Sequence, residues 1–418
     1  MQNNNDYSPR TSWMIMLSAA AIMMITMGAR QTTGLFLSPL NSSTHLGIVS
    51  ISFAMAVGQF MWGASQPIFG AVADKFGPAR VLLVGAVMLA VGTALTPFMN
   101  TEWGLIMTMG MLSAAGAGAG SFSILIGATS QRLPVQRRAF ASGFINAGGS
   151  FGQAVFAQLM QRIISSAGWV TAMLTMAATT LLTIPLIWPL RKRKEAGAVI
   201  DVTVEAQATS KTVDPADIGL WKQVKIAMRN PSYIYLHLGF FTCGFHIAFL
   251  VTHLPGEVAL CGLSADISAT ALMLIGLFNI AGSLTVGALA SRHRMKYLLV
   301  AVYGSRALLI VLYLLAPKTA WTFYLFAAGL GFSWLATVPP TAGLVAKLFG
   351  TRYLATLFGL TLLSHQIGGF LGAYLGGLAF AKYGNFNWMW YVDILLATAA
   401  ALINLPIREA KLPRAVLA

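Results

Sequence analysis

Twelve apolar runs, most of them close to 20 residues long, follow one another along this chain, with nearly every charge confined to the gaps between them. That length is what an α-helix needs to cross the hydrocarbon core of a bilayer. Lipid offers backbone N–H and C=O groups no hydrogen-bond partner, so each crossing segment must satisfy its own by coiling into a helix. The fold class that follows is an all-α membrane protein with many passes. Composition points the same way. At 57% hydrophobic, 9% charged and a mean hydropathy of +0.72, the 418 residues hold too few polar side chains to clothe soluble domains of that size.

Breaking the runs at charged or Pro/Gly turns predicts helices 1 to 6 over residues 12–38, 48–73, 80–98, 103–129, 139–161 and 168–190. Helices 7 to 12 are predicted over 232–254, 266–290, 297–316, 321–348, 354–381 and 388–406. The first run is too long for a signal-peptide core and lacks a convincing cleavage site, so it counts as helix 1. Arg191-Lys192-Arg193-Lys194 opens the only long polar stretch. The domain reading is a six-helix bundle over 1–190, a linker over 191–231 and a second six-helix bundle over 232–418.

The net charge of +15 raises nucleic acid as a partner, and the placement of the charges excludes it. In this layout 22 of the 27 lysines and arginines fall on one set of alternate loops and tails, eight of them in the linker. The opposite loops hold only Arg162, Lys318 and Lys382, and two arginines, Arg30 and Arg306, stand inside spans. Basic residues gather on the cytoplasmic side of membrane proteins. Both termini are therefore expected in the cytoplasm of a bacterial cell, with the protein in the inner membrane and anionic lipid as the natural partner of the basic face. The two cysteines, Cys243 and Cys261, have no metal-ligand spacing, and no metal or cofactor is expected. No nucleophile triad or phosphate-binding loop marks an enzyme.

An internal repeat relates the halves. A shift of 216 residues lays Gly28 on Gly244, Arg30 on His246 and Pro39 on Pro255. A shift of 214 lays Arg138, Ala141, Phe144 and Ser150 on Arg352, Ala355, Phe358 and Ser364. Repeated halves with a site between them are a common plan of secondary transporters.

The chemistry centres on Arg30, in the stretch Gly28-Ala29-Arg30-Gln31-Thr32-Thr33-Gly34 of helix 1. An arginine at mid-membrane costs about 2.5 to 3.5 kcal/mol on insertion scales, so it faces a protein interior or wet cavity and marks a ligand path. It is the candidate anchor for an anionic group in transit. Tyr235, Thr242, His246 and His253 share one face of helix 7 at spacings of seven, four and seven. Asp393 is the only acidic residue well inside a span, and with Arg306 it is expected to form a structural salt bridge.

Between helices 2 and 3 the chain reads Gly70-Ala71-Val72-Ala73-Asp74-Lys75-Phe76-Gly77-Pro78-Ala79-Arg80. This resembles the signature loop of the major facilitator superfamily. Gly70 is expected to allow close helix approach, Gly77 a tight turn, and Asp74, Lys75 and Arg80 charge-assisted contacts. The second-half copy is degraded, with Ser291 where an Asp would stand. The resemblance implies twelve helices in two pseudo-symmetric bundles, with helices 1, 4, 7 and 10 lining a central cavity. Arg30 and His246 then become symmetry-related cavity residues, and the loop, with Arg138 and Arg352, becomes part of the conformational latch. Gln31, Asn146, Asn279 and His365 are further candidate substrate contacts, with Gln153 and Gln366 as plausible polar neighbours. Helix 4 carries Gly116, Gly118 and Gly120, and helix 10 is expected to break at Pro339-Pro340.

The Arg30 stretch, Phe245-His246-Ile247-Ala248-Phe249 and Ser364-His365-Gln366-Ile367-Gly368 are similar to the bacterial branch near the monocarboxylate porters and oxalate/formate exchangers. Those carriers place an arginine in helix 8 one turn after an Asp or Asn. Here Asn279 is followed by Ser283. One guanidinium and a histidine suit one carboxylate, so the expected cargo is a small organic anion moved by alternating access, with protons as a second partner open through histidine. A monomer is expected. The alternative is an efflux pump for amphipathic compounds, given a Met- and Phe-rich cavity, although helix 5 lacks a Gly-Pro pair typical of drug/proton antiporters.

Overall fold

The computed structural model describes residues 9–130, 132–133, 135–191, 220–290, 292–350 and 354–409. Among them there is no strand. Helix 1 runs over Pro9–Gln31 and continues through a 3₁₀ turn at Thr33–Phe36 into Leu37–Thr44. Helices 2 and 3 are Ile48–Phe76 and Pro78–Leu95. Helix 4 is assembled from Glu102–Leu105, a π-helical stretch Ile106–Ser113, Ala114–Ala119 and Phe122–Ser130. Helix 5 is Val135–Ala167, and helix 6 begins with Trp169–Leu181. A short linker helix, Leu220–Met228, precedes helix 7, Pro231–Leu260. Helices 8 and 9 are Ala265–Ala290 and Met295–Leu315. Helix 10 is split into Ala320–Ser333 and Val338–Phe349, and helices 11 and 12 are Leu354–Tyr383 and Asn387–Asn404. Among the described residues, nine of the twelve are long and apolar enough to cross a membrane judged alone. Helices 5, 11 and 12 fall short of that standard; helix 5, for example, carries Gln153, Gln158, Gln161 and Arg162.

The two halves pack by the same scheme. Helix 1 lies against helix 5, helix 2 against helix 4 and helix 3 against both 4 and 6. In the second half the pairs are 7 with 11, 8 with 10 and 9 with 12. Small residues make the closest of these contacts possible, since lipid tails supply no hydrophobic drive between helices and association depends on backbone approach. A Cβ on Gly152 of helix 5 would stand 2.0 Å from the Met24 carbonyl oxygen of helix 1, and a Cβ on Gly368 of helix 11 would stand 2.0 Å from the Phe241 oxygen of helix 7.

Helices 2 and 11, and helices 5 and 8, join the bundles to each other. The Phe53 ring lies edge-on to Phe370 and Tyr374, at 5.9 and 5.2 Å. Gln158 Nε2 donates to Thr270 Oγ1 at 3.1 Å, and Asn279 Nδ2 donates to Ser150 Oγ at 2.9 Å. Helices 1 and 7 touch as well, for a Cβ on Gly34 would fall 2.0 Å from the Val251 oxygen. These contacts all sit from mid-helix toward the end where helix 1 finishes and helix 8 begins.

Gly77 is both C-cap of helix 2 and N-cap of helix 3, at φ 91°. An L side chain there would be strained, so the glycine of the signature loop makes the tight turn expected of it. Gly70 behaves otherwise. Among the described residues the only neighbour a Cβ there would meet is Ile124 Cδ1 at 3.9 Å, which is ordinary contact, so none of them demands glycine at this position. Lys75 and Arg80 are exposed, with the Lys75 ammonium 5.3 Å from the Phe76 ring. The side chains of Asp74 and Arg138, and Arg352 altogether, lie outside the described residues.

Candidate functional site

Helix 1 changes character where its sequence turns polar. The Thr32 hydroxyl donates to the Gly28 carbonyl at 2.9 Å and the Thr33 hydroxyl to the Arg30 carbonyl at 3.0 Å. Hydroxyls that bond back to the preceding turn loosen and bend a helix. The α-helix ends at Gln31 and a tighter 3₁₀ turn follows. Arg30 therefore sits in the last turn of the first piece, at an irregularity.

Its guanidinium is held by amide oxygens. One nitrogen donates to Gln31 Oε1 at 3.2 Å and another to Gln59 Oε1 of helix 2. The guanidinium carbon lies 4.0 Å from the centre of the Trp62 ring, a cation–π contact. Among the described residues no carboxylate pairs with it. Arg30 lines a cavity with Thr33, Met55, Gln59, Leu89, Met109 and Met176 on its walls. Thr93 and Ser113 add two hydroxyls 3.1 Å apart. This cavity lies within the first bundle, among helices 1, 2, 3, 4 and 6. Ser113 is the last residue of the π-helical stretch, and such insertions re-aim side chains at functional sites.

Gln31, Asn146 and Asn279 line a second, small cavity with Met23, Met27, Ser150, Gln153 and Leu335. This one lies between the bundles. Asn279 is committed there: besides its bond to Ser150, its oxygen accepts the Ser283 hydroxyl at 3.1 Å and the Leu335 backbone N–H at 3.1 Å. The expected site is thus divided into two adjoining spaces, with neighbouring residues 30 and 31 facing one each.

His246 and His365 leave the site. His246 is buried inside the second bundle, where its Nδ1 lies 2.5 Å from Asp393 Oδ2 of helix 12. The ring is therefore turned away from the Arg30 cavity, and the pseudo-symmetry of the sequence does not carry over to what the two side chains touch. His365 packs on Phe240 with ring centres 5.2 Å apart, along the seam of helices 7 and 11. His253 Nε2 bonds the Ala373 carbonyl at 2.7 Å, and Gln366 is buried where helix 11 meets Gly63 of helix 2.

The expected Arg306–Asp393 salt bridge is not formed. Helix 10 explains where Arg306 goes. Its first piece ends at Ser333, five residues ahead of Val338 and before rather than at the two prolines, which occupy the first turn of the second piece as prolines can. That end leaves carbonyls without intrahelical partners. Arg306 donates to the carbonyls of Ser333 and Trp334 and, at 3.3 Å, to the Ser333 hydroxyl. A buried cation at the negative end of a broken helix is well placed electrostatically. Asp393 is left to His246. Helix 7 also runs farther than its expected end at 254, burying Glu257, whose carboxylate accepts the Tyr313 hydroxyl at 2.7 Å.

Gln59, Trp62, Thr93 and Ser113 are the site residues that sequence reading missed. Gln59 and Trp62 are three apart, hence on one helix face, and a polar residue followed at that spacing by an indole in an apolar run is the signal that was available. Thr93 and Ser113 carried none.

Across residues 19–373 the sequence matches the Major Facilitator Superfamily. The chain belongs to that superfamily. It is 25% identical over 408 residues to monocarboxylate transporter 13 of Rattus norvegicus, covering 94% of this chain and 89% of that one. It is 24% identical over 378 residues to the oxalate:formate antiporter of Oxalobacter formigenes, covering 90% and 86%. The crystal structure of a D-xylose-proton symporter superposes with a TM-score of 0.72 at 13% identity, over 94% of this chain and 97% of that one. This superfamily member is a multi-pass membrane transporter and not an enzyme.

Proposed function

We propose that this transporter carries a small organic anion of the monocarboxylate class across a bacterial inner membrane by alternating access, with Arg30 holding the carboxylate. One observation carries the reading: a guanidinium inside a membrane bundle, oriented by two amide oxygens and an indole face, facing an apolar cavity with no carboxylate partner among the described residues. Amide oxygens orient a cation without neutralising it. An anionic cargo supplies the missing charge through bidentate, charge-assisted hydrogen bonds, the geometry for which guanidinium is suited. Met55, Leu89, Met109 and Met176 make a soft apolar wall for the rest of a small molecule. The named transport of monocarboxylates and of oxalate and formate by relatives along most of the chain supports the same class. With basic loops inward, both termini lie in the cytoplasm. The protein acts as a monomer in this reading.

The test is uptake of radiolabelled monocarboxylates into proteoliposomes. Arg30→Ala is expected to lower apparent affinity about ten- to a hundredfold, the value of a lost charged hydrogen bond. Arg30→Lys is expected to retain part of it. Equal uptake by all three proteins would remove Arg30 from the site, and hydrophobic-compound export unaffected by organic acids would favour the efflux reading instead.

A further inference from the structure

The linker helix Leu220–Met228 plays no part in the Arg30 site, yet its faces are sorted. Ala227 is buried and Val224 packs beside it against the core of the second bundle. Trp221 is 85% exposed and Met228 46% exposed. Lys222, Lys225 and Arg229 are exposed too. At 100° per residue these groups follow one another around the axis: Ala227 and Val224 toward protein, then Met228 and Trp221, seven residues apart and so nearly in line, then the three cations. Ile226, also exposed, lies beyond the cations.

Position along the membrane normal is constrained as well. Two residues separate the linker helix from Pro231, where helix 7 starts, and Asn230 caps that start by accepting the Ser232 N–H at 2.9 Å. The linker helix is thereby held at the mouth of a membrane-spanning segment. At the same end Trp13, near the start of helix 1, and Trp188, at the end of helix 6, are 44% and 69% exposed, and the Arg191 guanidinium lies 4.4 Å over the Trp188 ring. Exposed indoles at one level of a membrane protein mark the headgroup boundary, where an apolar ring with a polar edge is best accommodated. Trp221 extends that set.

We propose that the linker helix lies in the bilayer interface as a binding surface for anionic phospholipid, with Trp221 and Met228 in the acyl boundary and Lys222, Lys225 and Arg229 against headgroup phosphates. Protein contact, apolar exposure and positive charge occupy successive arcs, which lets a helix docked on the bundle turn its apolar arc to acyl chains and the adjoining cations to headgroups at the same boundary. A helix facing only water would leave its indole solvated with no compensating contact.

The test uses the full chain in vesicles, with Cys261→Ser to remove the half-exposed thiol and a nitroxide attached at Trp221→Cys or, as a second position, Lys222→Cys. In phosphatidylcholine vesicles containing about one-third phosphatidylglycerol, the label at 221 is expected to collide with dissolved oxygen and to be shielded from a water-soluble nickel chelate, and the label at 222 to show the reverse. Three cations near an anionic surface strengthen the contact roughly a hundredfold. Lys222→Gln, Lys225→Gln and Arg229→Gln together, or phosphatidylcholine alone, are therefore expected to expose the label at 221 to the chelate. Chelate access at 221 in anionic vesicles would overturn the proposal, as would shielding from both reagents, which means protein contact. A pattern indifferent to lipid charge and to the three substitutions would overturn it equally.

Discussion

Removing the imidazole of His246 isolates a carboxylate that has been sealed in the second bundle. His246 is 1% exposed and Asp393 0%, their facing atoms are 2.5 Å apart, and among the described residues no other side chain bonds the Asp393 carboxylate. Deleting the one side chain that bonds a buried carboxylate costs about 3 to 5 kcal/mol, because the carboxylate loses its compensation while staying out of water. For a unit the size of one bundle, each kcal/mol shifts the melting temperature by about 2 to 4 °C, so His246→Ala should melt about 6 to 20 °C below wild type. Asp393→Asn keeps a hydrogen-bond acceptor for the ring and should lose only about 1 kcal/mol. The double variant His246→Ala/Asp393→Asn removes the stranded charge and should recover at least half of the single-variant loss, a non-additivity that contacting residues show. Thermal unfolding in detergent can be followed with a thiol-reactive dye in a Cys261→Ser background, since Cys243 is fully buried until the bundle opens. A His246→Ala protein melting within about 2 °C of wild type, or a double variant no more stable than the single, would refute the stranded-charge reasoning. Uptake by the double variant discriminates further: because His246 is turned away from the Arg30 cavity, substrate affinity should survive once the fold is restored.

Arg306→Met is expected to release the Ser333 and Trp334 carbonyls and to destabilise the protein by about 2 to 4 kcal/mol, with Arg306→Lys recovering only part because one ammonium cannot reproduce the fork of the guanidinium; hydrogen exchange confined to residues 331–338 is the readout, and an unchanged profile would contradict the capping role. Gly244→Val should abolish folded protein on size-exclusion chromatography, since even a Cβ would sit 1.8 Å from the His365 oxygen, whereas Gly359→Ala on helix 11, with nothing within 4 Å, should be neutral or slightly stabilising.

Much of the architecture was legible because membrane crossing imposes a length and a polarity that a sequence must display openly. The twelve segments, the all-α class and the turn at Gly77 could be read from runs, charges and one glycine. Helix ends were less legible: helix 1 extends to Thr44 and helix 7 to Leu260, because protein packing where the two helices meet lets them continue past the apolar run. At the site, Arg30 was legible because a cation in hydrocarbon is conspicuous. Its company was not. Gln59, Thr93 and Ser113 are ordinary residues whose importance comes from which helices meet around them.

The two arginines inside spans show where the boundary falls. Sequence by itself determined that Arg30 and Arg306 each needed a polar environment within a membrane protein, since desolvation cost depends only on the group and the medium. Which environment each obtained was decided by tertiary structure. Arg306 and Asp393 carry opposite charges, and charge alone would pair them, but the break in helix 10 presents two carbonyls to Arg306 while helix 12 brings Asp393 to His246. Hydrogen bonds act over about 3 Å. Partners at that range are set by helix packing and local breaks in three dimensions, and sequence spacing does not record them.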